Sequence, residues 1–195
     1  MYSKHPYQPY VPQKATRLIV GTIPPYRFCI EPQRLFEDDV NFYYGSRDNY
    51  FWSLLAEVTG IQFDRGNSEE AVDQRKKFLT KRNIGITDMI GQCIHKDGKS
   101  DDASLREITL KPLNELLLQN PKIDTLLYTS KNIIKYVNEV ADKSYHEWET
   151  PGKKGAVMIN NKKYRVVVLY SPSPLARRKV PREVQVSQYR EVFGE

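Results

Sequence analysis

A chain of 195 residues, 39% hydrophobic and 28% charged with 12 prolines and 10 glycines, is long enough to bury one real core. This composition excludes disorder, a collagen helix or a solenoid array for the chain as a whole. Thirty Lys and Arg against 24 Asp and Glu leave a net charge of +6, which favours an anionic partner without requiring one.

Met1 to Tyr10 is polar and tyrosine-rich without an apolar signal core, and no later apolar run approaches the roughly 20 residues that span a bilayer. The expectation is a soluble, cytoplasmic chain with no membrane partner. Residues 1–16 carry Pro6, Pro9 and Pro12 and no hydrophobic periodicity, which predicts an extended N-terminal arm, lying on the body or left mobile. A single α/β domain is expected over residues 17–195. Its strands are predicted at Leu18 to Val20 ending at Gly21, Ile84 to Ile86 ending at Asp88, Ile123 to Tyr128 and Val166 to Tyr170, each a short apolar run between turn or polar residues. Helical patterns run over Tyr50 to Val58 stopping at Gly60, Glu69 to Thr80 capped by Ser68, Leu110 to Leu118 ending before Pro121, and Ser130 to Val140. Gly91 to Ser104, charged and broken by glycine, reads as a loop, and Ala156 to Tyr170 as a hairpin turning at Asn160-Asn161. Strands alternating with helices predict a mostly parallel sheet covered on both faces. Cys29 and Cys93 are too few for a four-thiolate site and read as reduced thiols; with His5 and His95 scattered, no metal and no cofactor is expected.

Open α/β sheets bind ligands at the carboxyl ends of their strands. Those ends carry Gly21 to Pro25, Thr87 to Ile90, Tyr128 to Lys131, and Ser171 to Leu175 followed by Arg177, Arg178 and Lys179. Two proline-rigid loops, one aspartate and a basic tract therefore meet at one edge, an arrangement suited to something extended and anionic. Ser130 and Lys131 fit a phosphate site at a helix start, and Ser130 equally fits an ordinary N-cap.

The succession GTIPP after the first strand, FYYGSRDNYFW opening the first helix, IGITD on the second strand, LYTSK after the third and SPSPL after the fourth resembles the uracil-DNA glycosylase superfamily. Its mismatch-specific and hypoxanthine-DNA glycosylase branches are the most similar. The resemblance covers about residues 17–190 and implies a three-layer α/β/α sandwich around a central four-stranded, mostly parallel sheet. It implies a monofunctional, monomeric enzyme of base excision repair, cytoplasmic and nucleoid-associated. Such an enzyme flips a deaminated or mismatched base, of uracil or hypoxanthine type, from double-stranded DNA and hydrolyses its N-glycosidic bond without cofactor. That reaction passes through an oxocarbenium-like state, so it needs negative or dipolar groups near the sugar, donors at the leaving base, a stacking ring and a wedge for the vacated space.

The resemblance gives each matching position a role. Gly21, Thr22, Ile23 and Pro24 would bring backbone against the base. Ile23 stands where water-activating branches carry a polar residue, which turns the expectation away from simple uracil excision. In the hypoxanthine-type branch an asparagine before the aromatic pair of the next helix is the catalytic candidate, and Asn49 before Tyr50-Phe51-Trp52 matches it. Asn49 would orient water beneath the sugar, and it fits the helix N-cap equally well; Asp48 is the reserve carboxylate. Tyr44 or Tyr43 would stack on the base, while Trp52 reads as core. Asp88 would bind the base or assist water, or else cap the next turn, and Ser100 resembles a position contacting DNA or base. Ser171 replaces the usual histidine of the second motif as the group at the leaving base. Ser173 would clamp a phosphate, Leu175 would be the wedge, and Arg177, Arg178 and Lys179 would grip the backbone beside Ser130 and Lys131. Two other classes fit the same residues: a DNA-binding member of the fold that has lost hydrolysis, and a hydrolase of free nucleosides.

Overall fold

The structure, a computed structural model, describes residues 2–30, 35–98, 104–144, 152 and 154–194. Its strands are β1 (Ser3–Lys4), β2 (Arg17–Gly21), β3 (Ile84–Asp88), β4 (Ile90–His95), β5 (Leu105–Leu110), β6 (Thr125–Tyr128), β7 (Lys143–Ser144), β8 (Lys154–Ile159) and β9 (Lys162–Val168). Its helices are α1 (Tyr26–Ile30), α2 (Phe51–Thr59), α3 (Glu69–Lys81), α4 (Leu113–Gln119), α5 (Ile133–Asn138), α6 (Pro174–Arg177) and α7 (Arg182–Phe193).

Among the described residues the strands form a six-stranded sheet, in the order β3-β2-β6-β9-β8-β7, and a smaller sheet, β1-β4-β5. The expected four-stranded sheet is the parallel part of the larger one: β3, β2, β6 and β9 run parallel. The antiparallel β8 and β7 extend it beyond four strands, because the hairpin strand β8 pairs with β9 along its whole length and leaves its other edge for β7. The hairpin turns at Asn160 and Asn161, both at positive φ (52° and 59°), as a two-residue turn between twisted strands requires.

Side-chain alternation along the strands divides the core in two. Leu18 and Val20 of β2, Leu126 and Tyr128 of β6, and Val166 and Val168 of β9 pack with α4, α5 and the small sheet. Ile19, Leu127, Ile84 and Ile86 pack on the opposite face with α2, α3 and α7. The result is a layered α/β chain with helices on both faces of the main sheet. Among the described residues no helix is long and apolar enough to cross a membrane.

Most helix ends follow the sequence signals. Ser68 Oγ accepts the Ala71 N–H at 3.1 Å at the start of α3, and α2 ends on left-handed Gly60. The stretch after β3 differs from expectation. Residues 90–95 are a strand rather than a loop, and its register against β5 shifts twice, so no period-two pattern marks it. Leu110 ends β5 instead of opening a helix, and α4 begins only after Pro112. The helix expected from Ser130 starts at Ile133 and ends at Asn138. Lys99, Ser100, Asp101 and Asp102 lie outside the described residues.

The segment before Arg17 lies on the body. Ser3 and Lys4 pair with Cys93 and Gln92, His5 N–H donates to the Gly91 carbonyl at 2.9 Å, and Tyr10 exchanges backbone hydrogen bonds with Ile86 at 3.0 and 2.8 Å.

Candidate active site

The chain leaves β2 for β3 on one side and returns to β6 on the other, so β2 and β6 flank a topological switch point, where such sheets open a crevice. A cavity of about 570 Å³ occupies it. From β2 come Thr22, Ile23, Pro24 and Pro25; from β3, Asp88; from β6, Thr129, Ser130 and Lys131; from β9, Leu169 to Ser173. The connection from α1 to α2 adds Tyr44 and Asn49, and the turn after β9 adds Leu175 and Lys179. Most of the residues singled out in the sequence thus line one space. Gly21, Asp48 and Arg178 do not line it, and the Arg177 side chain is outside the description.

Gly21 and Asp88 are register partners at the ends of β2 and β3. A Cβ on Gly21 would stand 2.0 Å from Asp88 Oδ1 and 2.2 Å from the Tyr44 hydroxyl oxygen, so only glycine lets these groups sit together beneath the cavity. Tyr44 holds the left-handed conformation at φ 55°, inside a turn closed by Val40 N–H on the Gly45 carbonyl at 2.7 Å. Its ring stacks on Phe51 with centroids 4.4 Å apart, and its hydroxyl lies 2.9 Å from Thr129 Oγ1. Burial, reinforced by Asp88, raises that hydroxyl well above the usual tyrosine range and keeps it neutral. Phe42 and Tyr43, its neighbours in sequence, are buried in the core, as is Trp52, whose Nε1–H donates to the Tyr43 carbonyl at 2.8 Å.

Asn49 sits just before α2. Its Oδ1 accepts the Phe51 N–H at 2.9 Å, an Asx turn that opens the helix, while its NH2 has no hydrogen-bond partner among the described residues. Tyr50 N–H donates to the Pro172 carbonyl at 3.0 Å, tying this turn to the loop after β9. Asp48 is 57% exposed and faces Arg27 at 3.5 Å. The connection is held from below by Asp39, a buried carboxylate that binds Arg27 Nε and Nη2 at 2.8 Å each and also accepts the Phe36 and Arg47 N–H groups. Burial alone would raise Asp39, but Arg27 and the two amides outweigh it and hold the carboxyl below its ordinary value.

In the loop after β9, Ser171 Oγ accepts the Ser173 N–H and Ser173 Oγ accepts the Ala176 N–H, both at 3.3 Å, with Pro174 at the first position of α6. This builds a rigid stub whose Leu175 is 59% exposed at the cavity rim. Ser130 Oγ accepts the Asn132 N–H in the turn before α5 and does not cap that helix. Lys131 and Lys179 line the cavity, Arg178 is exposed beside it, and Arg182 is taken by Glu57.

Two groups behind Asp88, neither of which lines the cavity, carry no signal in the sequence. His5 Nε2 lies 2.7 Å from Asp88 Oδ2, and Lys111 Nζ lies 3.0 Å from His5 Nδ1 and 2.9 Å from the Tyr7 carbonyl. Burial lowers Lys111 to about 8, with Asp88 and Cys29 pulling partly the other way, while burial raises the neighbouring Cys29 to about 12. The signs differ in consequence. Between about pH 8 and the ordinary lysine value the unfolded chain holds the Lys111 proton and the folded chain does not, so stability rises with pH. Above about pH 9 the unfolded chain loses the Cys29 proton that the folded chain keeps, so stability falls. Urea unfolding should therefore show stability rising by roughly 1 kcal/mol from about pH 8 to 9 and then turning over. Lys111→Met should flatten the rising limb; a rise that survives this substitution refutes the assignment.

No family model and no curated protein matches the chain. The solution NMR structure of a Methanosarcina acetivorans protein, provisionally designated a uracil DNA glycosylase, is similar to it at a TM-score of 0.60 and 18% identity. The match covers 99% of this chain and 97% of that one. The two proteins share a fold over nearly their whole length.

Proposed function

We propose that the chain is a monofunctional DNA glycosylase of the uracil-DNA glycosylase superfamily, near its mismatch-specific and hypoxanthine-type branches. It takes a deaminated or mismatched base extruded from duplex DNA into the switch-point cavity and hydrolyses the N-glycosidic bond in base excision repair. The observation that carries the reading is one cavity holding Tyr44, Asp88 and Asn49, with an exposed leucine on a rigid stub and lysines at its rim. A free nucleoside leaves no hole in a base stack, so Leu175 favours duplex DNA over a nucleoside substrate. The shared fold of the NMR structure agrees with it.

In this reading Leu175 fills the space of the flipped base, and Ser130, Lys131, Ser173, Arg177, Arg178 and Lys179 hold flanking phosphates. Each neutralised phosphate contributes about −0.9 to the slope of log affinity against log salt. Tyr44 stacks on the base with Phe51 behind it, worth roughly 1–3 kcal/mol. Asp88 accepts a ring N–H of the kind that uracil and hypoxanthine share, and backbone from Thr22 to Pro24 closes on the base. Asn49 holds the attacking water, using the lone pair and NH2 that the Asx turn leaves over, and Ser171 donates to the leaving base. Turn bonds engage both Asn49 Oδ1 and Ser171 Oγ, which favours a second reading: a DNA-binding protein of this fold without hydrolysis.

Duplexes carrying uracil, hypoxanthine, xanthine or mismatched thymine, incubated with the protein and cleaved with alkali, decide between them. Abasic product from at least one, lost about 100-fold in Asn49→Ala, is the expected result. Salt-dependent DNA binding with no product from any duplex selects the second reading. Product at the full rate from Asn49→Ala removes the role of Asn49.

A further inference from the structure

His5 reaches Asp88, which lines the cavity, from behind and from a segment that none of the four strand-end loops supplies. That segment is fixed on both sides of it, by the pairing of Ser3 and Lys4 with β4 and by the Tyr10–Ile86 bridge to β3. The His5 side chain is 1% exposed, with its ring against Tyr7 and Tyr43. Nδ1 faces two donors, the Tyr7 N–H and Lys111 Nζ, each at 3.0 Å. The Tyr7 carbonyl also lies 3.0 Å from Nδ1, and it is served by Lys111 at 2.9 Å. A ring nitrogen receiving two donors is the unprotonated one, so the hydrogen sits on Nε2 and goes to Asp88 Oδ2. Oδ1, turned toward Gly21 and the Tyr44 hydroxyl, has no hydrogen-bond partner among the described residues.

We propose that His5 is a positioning residue for Asp88: by donating to Oδ2 it fixes the carboxylate with Oδ1 left as the acceptor for the bound base, and Lys111 fixes His5 in turn. The proposal deepens the glycosylase reading and rests on it for its activity readout. The donor also matters to Asp88 itself, which is nearly buried and would otherwise carry its charge without a partner. The N-terminal segment is thereby part of the site, although it makes no contribution to the strand-end pattern that marks the rest.

Two full-length variants separate the donor from the ring. His5→Phe keeps an aromatic ring against Tyr7 and Tyr43 but gives no hydrogen bond; His5→Gln keeps an N–H donor without the ring. In single-turnover excision with saturating duplex, His5→Phe should be roughly 10- to 100-fold slower at unchanged DNA affinity, and His5→Gln should recover most of the rate. His5→Phe at the wild-type rate, or His5→Gln as slow as His5→Phe, overturns the proposal. Nitrogen-15 NMR of the wild-type imidazole gives a reading independent of turnover: a hydrogen on Nε2 is expected, and one on Nδ1 instead overturns the proposal. If the wild-type protein excises no base, the glycosylase reading fails by itself and the imidazole spectrum alone decides the His5–Asp88 geometry.

Discussion

Gly21→Ala should leave a folded protein whose base excision is slower by about 100-fold. The added methyl would stand 2.0 Å from Asp88 Oδ1 and 2.2 Å from the Tyr44 hydroxyl oxygen, far inside contact distance. The backbone at Gly21 cannot retreat, because β2 is hydrogen-bonded between β3 and β6 and the Gly21 carbonyl accepts the Met89 N–H at 2.9 Å. The side chains must yield instead. Asp88 would be pushed against His5 and Tyr44 away from Thr129, so the acceptor and the ring of the cavity would move together. Overpacking of this kind costs about 1–3 kcal/mol, which circular dichroism and urea unfolding would register as a destabilised native fold. A variant that is folded and excises at the wild-type rate would show that neither Asp88 nor Tyr44 takes part in the chemistry.

Arg27→Ala should have the largest effect on stability, about 3–5 kcal/mol, a large share of what a domain of this size possesses. The Asp39 side chain is 0% exposed, and Arg27 supplies two of the four hydrogen bonds it accepts among the described residues. Removing the guanidinium strands a buried charge beneath the turn that carries Tyr44 and Asn49, and it also removes the donor to Ser46 Oγ. Urea unfolding measures the loss. Adding Asp39→Asn to Arg27→Ala should recover part of it, because the orphaned charge is gone; a double variant no more stable than Arg27→Ala would place the cost in lost packing.

The parallel strands and the cavity between them were legible because each ends in a short apolar run that stops at a turn residue or an aspartate. Tyr44 shows where that legibility ends. Phe42, Tyr43 and Tyr44 are three rings in succession, and nothing local tells which one leaves the core; the left-handed φ of Tyr44, set by the turn against Gly45, decides it. Bulges hid β4, since a register shift breaks the alternation by which a strand is recognised. His5 was invisible for a different reason. Its partner Asp88 is 83 positions away, and a lone histidine among prolines carries no periodicity to betray a buried hydrogen bond. Asn49 was legible as a cap and as a catalytic candidate; the helix instead begins with Tyr50 as its N-cap, without a side-chain cap, and Asn49 forms an Asx turn just ahead of it.

The threading of residues 3–10 across the small sheet and β3 also bears on the order in which the chain organises itself. His5 is synthesised long before Asp88 and Lys111, and β1 has no edge to join until β4 exists. Closing so long a loop is entropically slow, so this segment is expected to dock late, onto a sheet already assembled. The support behind Asp88 is therefore expected to be among the last parts of the molecule to form. A nascent or partly unfolded chain can hold its parallel sheet while Asp88 still lacks its imidazole donor, and the site becomes complete only with the final docking step.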